Sequence, residues 1–239
     1  MDKSQNRIPR ESPVRQFRGI VHGMRAPRVS RIPASIERCF TVSRISFVPT
    51  AEWSDELRNV VAADNATELE LGITRMLAHA PDLAMGPISF GAAMKTHRTL
   101  PERLIELLRL RVAFHNQCRS CMAIRYRSAR AEVSEPDVCS LETPQDAESL
   151  DDRERLAIEL GDRFACDHLS IDGAFFTELQ TLFSEAEVME LLMHCALYVG
   201  VGRLAAVLDM TEDLPSGFDT PFDQNHSVTP TSREPIVVR

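Results

Sequence analysis

Residues 101–117, "PERLIELLRLRVAFHNQ", leave the chain few architectures to choose from. Read at helical pitch, the apolar positions Leu104, Ile105, Leu107, Leu108, Leu110, Val112 and Phe114 run almost all round the cylinder. A helix without a polar face has to be enclosed on every side, so it sits at the centre of a helical bundle or inside an assembly. Pro101 suits the start of such a helix, and Glu102 just inside it complements the helix dipole. No segment alternates with period two over a convincing strand length. The expected fold is therefore all-α, with about seven or eight helices.

The flanking segments fill in that bundle. "PTAEWSDELRNVVAA" and "NATELELGITRMLAHA" read as helices, and "PDLAMGPISFGAAMKTH" as a helix broken at Gly86-Pro87. "SEPDVCSL" is a short capped helix, and "SLDDRERLAIELGDRFACDH" starts on a capping-box-like Ser149/Asp152 pair. "GAFFTELQTLF" is another short helix. The last segment, from Ser184 with Glu187 as a capping box, runs on for about six turns. Gly200 and Gly202 in its interior point to a close helix crossing or a kink.

Both ends of the chain read differently from this body. Residues 1–43 form a basic arm with four prolines and few clustered apolar groups, so disorder is expected there. Residues 1–44 carry ten Lys/Arg against three Asp/Glu, whereas the remainder carries 17 basic and 32 acidic residues. That asymmetry would let the arm touch an acidic surface, but no nucleic-acid module is legible in the body. The helical domain spans 44–212, and residues 213–239 read as a disordered tail. No run is read as spanning a bilayer and no secretory signal is legible, so the cytoplasm is the expected compartment. Its cysteines would stay reduced there unless they do redox work. Cys39, Cys139, Cys166 and Cys195 are isolated and read as small buried hydrophobes.

Only Cys118 and Cys121, in "HNQCRSCMAIRYRSAR", form a constellation. Asn116-Gln117 is a joint, and a second helix over about 118–131 would complete an αα-hairpin. Cysteines at i and i+3 share one helix face, and a helix N-terminus favours a thiolate. Arg119 adds positive charge, as does Arg125 one turn above Cys121. Antiparallel packing about the joint sets Glu106 nearly level with Arg125, giving a column of Glu106, Arg125, Cys121 and Cys118. From the residues alone, three readings stay open: a redox pair, an altered redox pair, or two core cysteines beside a structural Glu–Arg pair. Zinc is the weaker option, since His168, His194 and Cys195 offer no second paired spacing. No metal or other cofactor is expected.

The stretch "LPERLIELLRLRVAFHNQCRSCMAIRYRSAR" resembles the core of the carboxymuconolactone decarboxylase / alkylhydroperoxidase AhpD-like family. That family's pattern places a Glu twelve residues before a Cys-x-x-Cys and a His four residues after the second Cys. Glu106, Cys118 and Cys121 match it, and the Gly202-Arg203 of "VGVGRL" fits a downstream long helix of the family. The resemblance covers about residues 50–212. It implies an AhpD-like helical bundle built around a Cys-x-x-Cys αα-hairpin, assembling as a homo-oligomer, commonly a trimer or hexamer. It further implies a thiol-dependent peroxidase. Cys121 would attack a small-molecule peroxide, Cys118 would resolve the product into a disulfide, and Glu106 would relay a proton. A thiol reductant or redox protein would restore the dithiol.

The departure is Arg125, which stands where the family has its relay His. A guanidinium, with a pKa above about 12, passes no proton at neutral pH. Either water, Glu106 or His115 carries the proton, or the chain is a non-catalytic, redox-sensing member of the family. The family's decarboxylase-type branch does not rely on a cysteine pair, and the retention of both cysteines argues against it.

Overall fold

The computed structural model of the protein describes residues 43–214 and 236–238. In chain order its helices are α1 (Asp55–Val60), α2 (Glu68–Leu77), α3 (Pro81–Thr96), α4 (Glu102–Asn116) and α5 (Arg119–Ala123). A three-residue strand, β1 (Ile124–Tyr126), follows. Then come α6 (Glu135–Ser140), α7 (Asp152–Cys166), α8 (Gly173–Leu182) and α9 (Glu185–Leu208), and finally a second strand, β2 (Ile236–Val238). Among the described residues the body is all-α apart from these two short strands. The expected arm, 1–43, lies outside the described residues except for Ser43.

As its residue pattern demands, α4 is enclosed on all sides. Leu107, Leu108, Leu110 and Val112 are fully buried. One side (Leu104, Ile105, Leu108, Val112) packs on α7, α8 and α9 through Leu160, Leu179 and Leu191. The other side (Leu107, Leu110, Phe114) packs on Met122, Val138, Leu141 and Ile158. Each fully buried aliphatic side chain contributes about 1.5–3 kcal/mol relative to exposure. The helix also carries ionic anchors. Arg103 donates from Nε to Glu154 on α7 at 2.7 Å and from Nη2 to Asp137 on α6 at 3.1 Å. Burial alone would raise the Asp137 pKa, but its bonds to Arg103 and Ser134 outweigh it and hold the carboxyl down at about 2.

Two glycines set how closely the neighbours approach α4. A Cβ on Gly161 of α7 would fall 2.5 Å from Leu108 Cδ1, and one on Gly202 of α9 would fall 2.5 Å from Asn116 Nδ2. Gly202 is therefore the site of the close crossing expected on α9. Gly200 faces open space, where an added Cβ would meet nothing within 4 Å. The capping box at Ser184/Glu187 is present as expected.

Several expectations need correction. The α7 capping box is Asp151/Glu154, two residues beyond the Ser149/Asp152 pair, because Asp151 reaches the Glu154 N–H at 2.8 Å while the Ser149 carbonyl accepts from Arg103. α3 runs unbroken through Pro87. The helix expected over 118–131 ends at Ala123, since Ile124–Tyr126 pair in parallel with Ile236–Val238. Of the tail read as disordered, residues 215–235 and 239 lie outside the described residues, while Ile236–Val238 form this strand. Near the start of that tail, Glu212 accepts from Ser43, and Asp213 pairs with Arg75 at 2.7 Å. Of the lone cysteines described, only Cys195 is buried; Cys139 and Cys166 are exposed. α9 is 24 residues long and apolar enough to cross a bilayer by length and composition. It nevertheless buries Val188, Leu191, Cys195 and Ala205 inside this bundle.

Candidate functional site

Gln117 ends α4 in the left-handed conformation, and Cys118 is extended and caps α5. This tight turn brings the two sulfurs together, and Cys118 and Cys121 form a disulfide with an S–S distance of 2.07 Å. Cys118 is fully buried, whereas Cys121 is half-buried. The Cys121 N–H points back at Cys118 Sγ, 3.3 Å away. Arg119, next to the buried sulfur, pairs with Asp209 at the end of α9.

Cys121 opens onto a cavity of about 300 Å³ between α2, α3, α4 and α9. Its wall is mostly aliphatic, including Ile73, Leu77, Ile88, Leu197 and Val201. Thr74, Arg109, Asn116, Tyr126 and Tyr198 supply its polar groups. A second cavity of about 250 Å³ lies alongside and shares Gly91, Tyr126, Leu197 and Tyr198 with the first. Glu106 and His194 line this second cavity.

Glu106 is buried, and its partner is Arg109 on the same helix. Arg109 Nε and Nη2 donate to the two carboxylate oxygens at 2.7 Å each. The same guanidinium donates to the carbonyls of Cys121 at 2.8 Å and Ile124 at 3.1 Å, and lies against the Tyr126 ring. Burial works against the Arg109 charge, but the Glu106 carboxylate outweighs it and keeps the guanidinium protonated. Arg109 is thus the link between the carboxylate and the cysteine-bearing turn.

The column expected from the sequence is only partly assembled. Glu106 and Cys121 are joined through Arg109, not through Arg125. The expected Glu106–Arg125 contact is absent, because residues 124–126 leave helical geometry and carry Arg125 to the other side. Its guanidinium donates to Glu135 on α6 at 3.0 Å and to the Met122 carbonyl at 2.7 Å. His115 also turns away from the cysteine pair, and its Nε2 lies 2.6 Å from Asp162 of α7.

Sequence reasoning missed Arg109, Tyr126 and Tyr198, and weighed His194 only as a zinc ligand. Arg109 sits three residues after Glu106, the spacing of neighbours on one helix face, and that was the available signal. Nothing local marks the other three. Tyr198 Oη lies 3.1 Å from His194 Nδ1, and burial pushes the phenol pKa upward, so the hydroxyl keeps its proton. Burial likewise pulls His194 down to about 4, with Arg98 adding to it and Glu190 opposing, so the imidazole is neutral near pH 7.

No family model and no curated protein matches this chain. Solved structures do match in fold. The alkylhydroperoxidase AhpD core of an uncharacterized peroxidase-related protein from Ralstonia eutropha JMP134 superposes with a TM-score of 0.58 at 17% identity, over 71% of this chain and 92% of that one. The chain has an AhpD-like fold. A protein of unknown function from Agrobacterium tumefaciens, proposed as the antioxidant defence protein AhpD, matches with a TM-score of 0.50, also at 17% identity, over 56% of this chain and 92% of that one. In this AhpD-like frame the Cys-x-x-Cys turn follows directly on the central helix. Among the described residues no cluster of three His, Cys, Asp or Glu side chains has the makings of a metal site.

Proposed function

We propose that the chain is a thiol-dependent peroxidase acting on organic hydroperoxides in the cytoplasm. The observation that carries this reading is the half-buried Cys121, bonded to a fully buried Cys118 and opening onto a largely aliphatic cavity. An external dithiol reduces the Cys118–Cys121 disulfide and is itself oxidised. The Cys121 thiolate then attacks the outer oxygen of the peroxide. The O–O bond breaks, the alcohol leaves with one proton, and Cys121 becomes a sulfenic acid. The Cys118 thiolate displaces hydroxide from that sulfur, the hydroxide takes up a proton as water, and the disulfide is restored.

In this reading the aliphatic wall holds the organic part of the peroxide, favouring alkyl hydroperoxides over hydrogen peroxide. Arg109 holds the cysteine turn by its carbonyls and lines the same cavity as the reacting sulfur. The neutral Tyr198 hydroxyl, shared by both cavities and backed by His194, is placed to donate a proton to the leaving alkoxide. It takes the task that Arg125 cannot perform.

Peroxide-dependent consumption of dithiothreitol, measured with cumene hydroperoxide, tests the proposal. Cys121→Ser should abolish turnover, and Cys118→Ser should leave a sulfenic acid that dimedone traps. Wild-type protein that consumes no dithiol with any organic hydroperoxide overturns the reading.

The same reading includes a homo-oligomer. Met189, Met193, Ala196, Gly200, Leu204 and Val207 follow one another at three- and four-residue steps along α9, and all six are exposed. Such a stripe, with small residues at its middle, suits the close approach of a second copy.

A further inference from the structure

A second cysteine lies outside both cavities and in different company. Cys166 is the last residue of α7 and is exposed. Its Sγ lies 3.2 Å from His115 Nδ1, and His115 Nε2 lies 2.6 Å from Asp162 Oδ1. Asp162 is fixed in turn by Arg111, which donates from Nε at 2.5 Å and from Nη2 at 3.0 Å. The arrangement follows from two i,i+4 pairs on facing helices, Arg111 and His115 on α4 and Asp162 and Cys166 on α7. Burial tends to raise the Asp162 pKa, but His115 and Arg111 outweigh it, so the carboxyl is ionised well below neutral pH.

The carboxylate selects the tautomer. With Asp162 accepting from Nε2–H, the neutral ring presents Nδ1 as a lone pair to the thiol. A sulfur, a base within reach of it and an orienting acid are the elements of an activated nucleophile. The C-terminal end of α7 opposes a thiolate. The imidazole in direct contact with the sulfur offsets this by accepting the thiol proton. Arg203 further blunts the helix end by donating to the Ala165 carbonyl.

We propose that Cys166 is a second reactive thiol, activated by His115 and Asp162, that exchanges with low-molecular-weight disulfides to carry a mixed disulfide. The Cys166 proton passes to His115 Nδ1, and the thiolate attacks one sulfur of R–S–S–R. That S–S bond breaks as the Cys166–S–R bond forms, and the departing thiolate takes the proton back from His115 as RSH. The protein thiol is oxidised and one half of the disulfide is reduced. The site shares no residue with the cavity at Cys121, and the inference does not rest on the peroxidase reading.

The test uses the full chain with Cys118–Cys121 left oxidised, so that only free thiols react. Iodoacetamide labelling at pH 7, resolved by peptide mass spectrometry, compares Cys166 with Cys139, an exposed thiol for which no histidine contact is seen. Cys166 should alkylate roughly tenfold faster or more, because His115 stands ready to take its proton. Oxidised glutathione should add one glutathione, at Cys166. His115→Gln and Asp162→Asn should each bring the Cys166 rate down towards that of Cys139. Equal rates at the two cysteines in the wild type, which requires no variant to fold, overturn the proposal. So does an unchanged rate in a folded His115→Gln protein.

Discussion

Glu106 and Arg109 form an ion pair in which both groups are shielded from water, brought together by their i,i+3 spacing and braced by the Cys121 and Ile124 carbonyls. Glu106→Gln would leave the guanidinium buried without its countercharge, a change that costs about 3–5 kcal/mol. Urea unfolding should show that loss even if peroxidase turnover survives. Arg125 is a different case. Its partner Glu135 is only half-buried and can rehydrate, so Arg125→Ala should cost only about 1–2 kcal/mol, mainly from the carbonyls left without a donor. Because the side chain points at α6, Arg125→His should bring no gain in peroxide turnover; a rise of tenfold or more would show that this position reaches the cysteines.

His194 gives a pH prediction at the same scale. Its pKa falls from 6.5 when unfolded to about 4 in the folded chain. Between those values the unfolded state binds more protons, so stability is fully present above pH 6.5 and is lost as pH falls towards 4. The full loss is about 3 kcal/mol at one proton and 1.36 kcal/mol per pH unit. In His194→Asn the slope of stability against pH over this window should flatten by about one proton; an unchanged slope would place the uptake elsewhere.

At the scale of elements, close approaches matter more than propensity. Gly161→Ala would place a methyl group into Leu108 where α7 crosses α4, and overpacking of that kind costs typically about 1–3 kcal/mol. Gly200→Ala faces open space in the single chain and relieves the entropy cost of a helical glycine. It should raise the melting temperature of the monomer but weaken self-association, if α9 meets α9 there. Chemical denaturation and sedimentation at several concentrations separate the two effects. The helix starts were legible where a capping side chain and its partner lie three residues apart, as at Ser184. At Asp151 the chain offered competing acids and serines, and three-residue spacing alone did not say which residue caps.

At the scale of the whole molecule, β1 and β2 tie the end of the chain to the cysteine-bearing turn. Ile236 packs with Leu69, Ala123 and Leu214, and Val238 is buried. Removing residues 236–239 should therefore cost about 1–3 kcal/mol, and proteolysis should cut sooner near Arg125 and Arg127. Loss of the strand frees Ile124–Tyr126, and Tyr126 faces both cavities, so the truncation should also weaken organic hydroperoxide turnover. An intact melting curve after truncation would show that the pairing carries no stability.

What the sequence determined by itself follows from short-range rules. The apolar circumference of residues 104–114 demanded a central helix, the i,i+3 cysteines demanded proximity, and the spacing from Glu106 to Cys118 placed carboxylate and sulfur on consecutive elements. Tertiary structure decided the rest. The segment after Cys121 became a strand because its partner lies more than a hundred residues away, beyond any local pattern. That change of geometry sent Arg125 to Glu135 and left Arg109 as the charge beside the cysteine turn. Tyr198 and His194, carried in on α9, line the same cavity as Glu106. Side chains from distant parts of the chain meet only through packing, and no spacing along the sequence records where two helices cross.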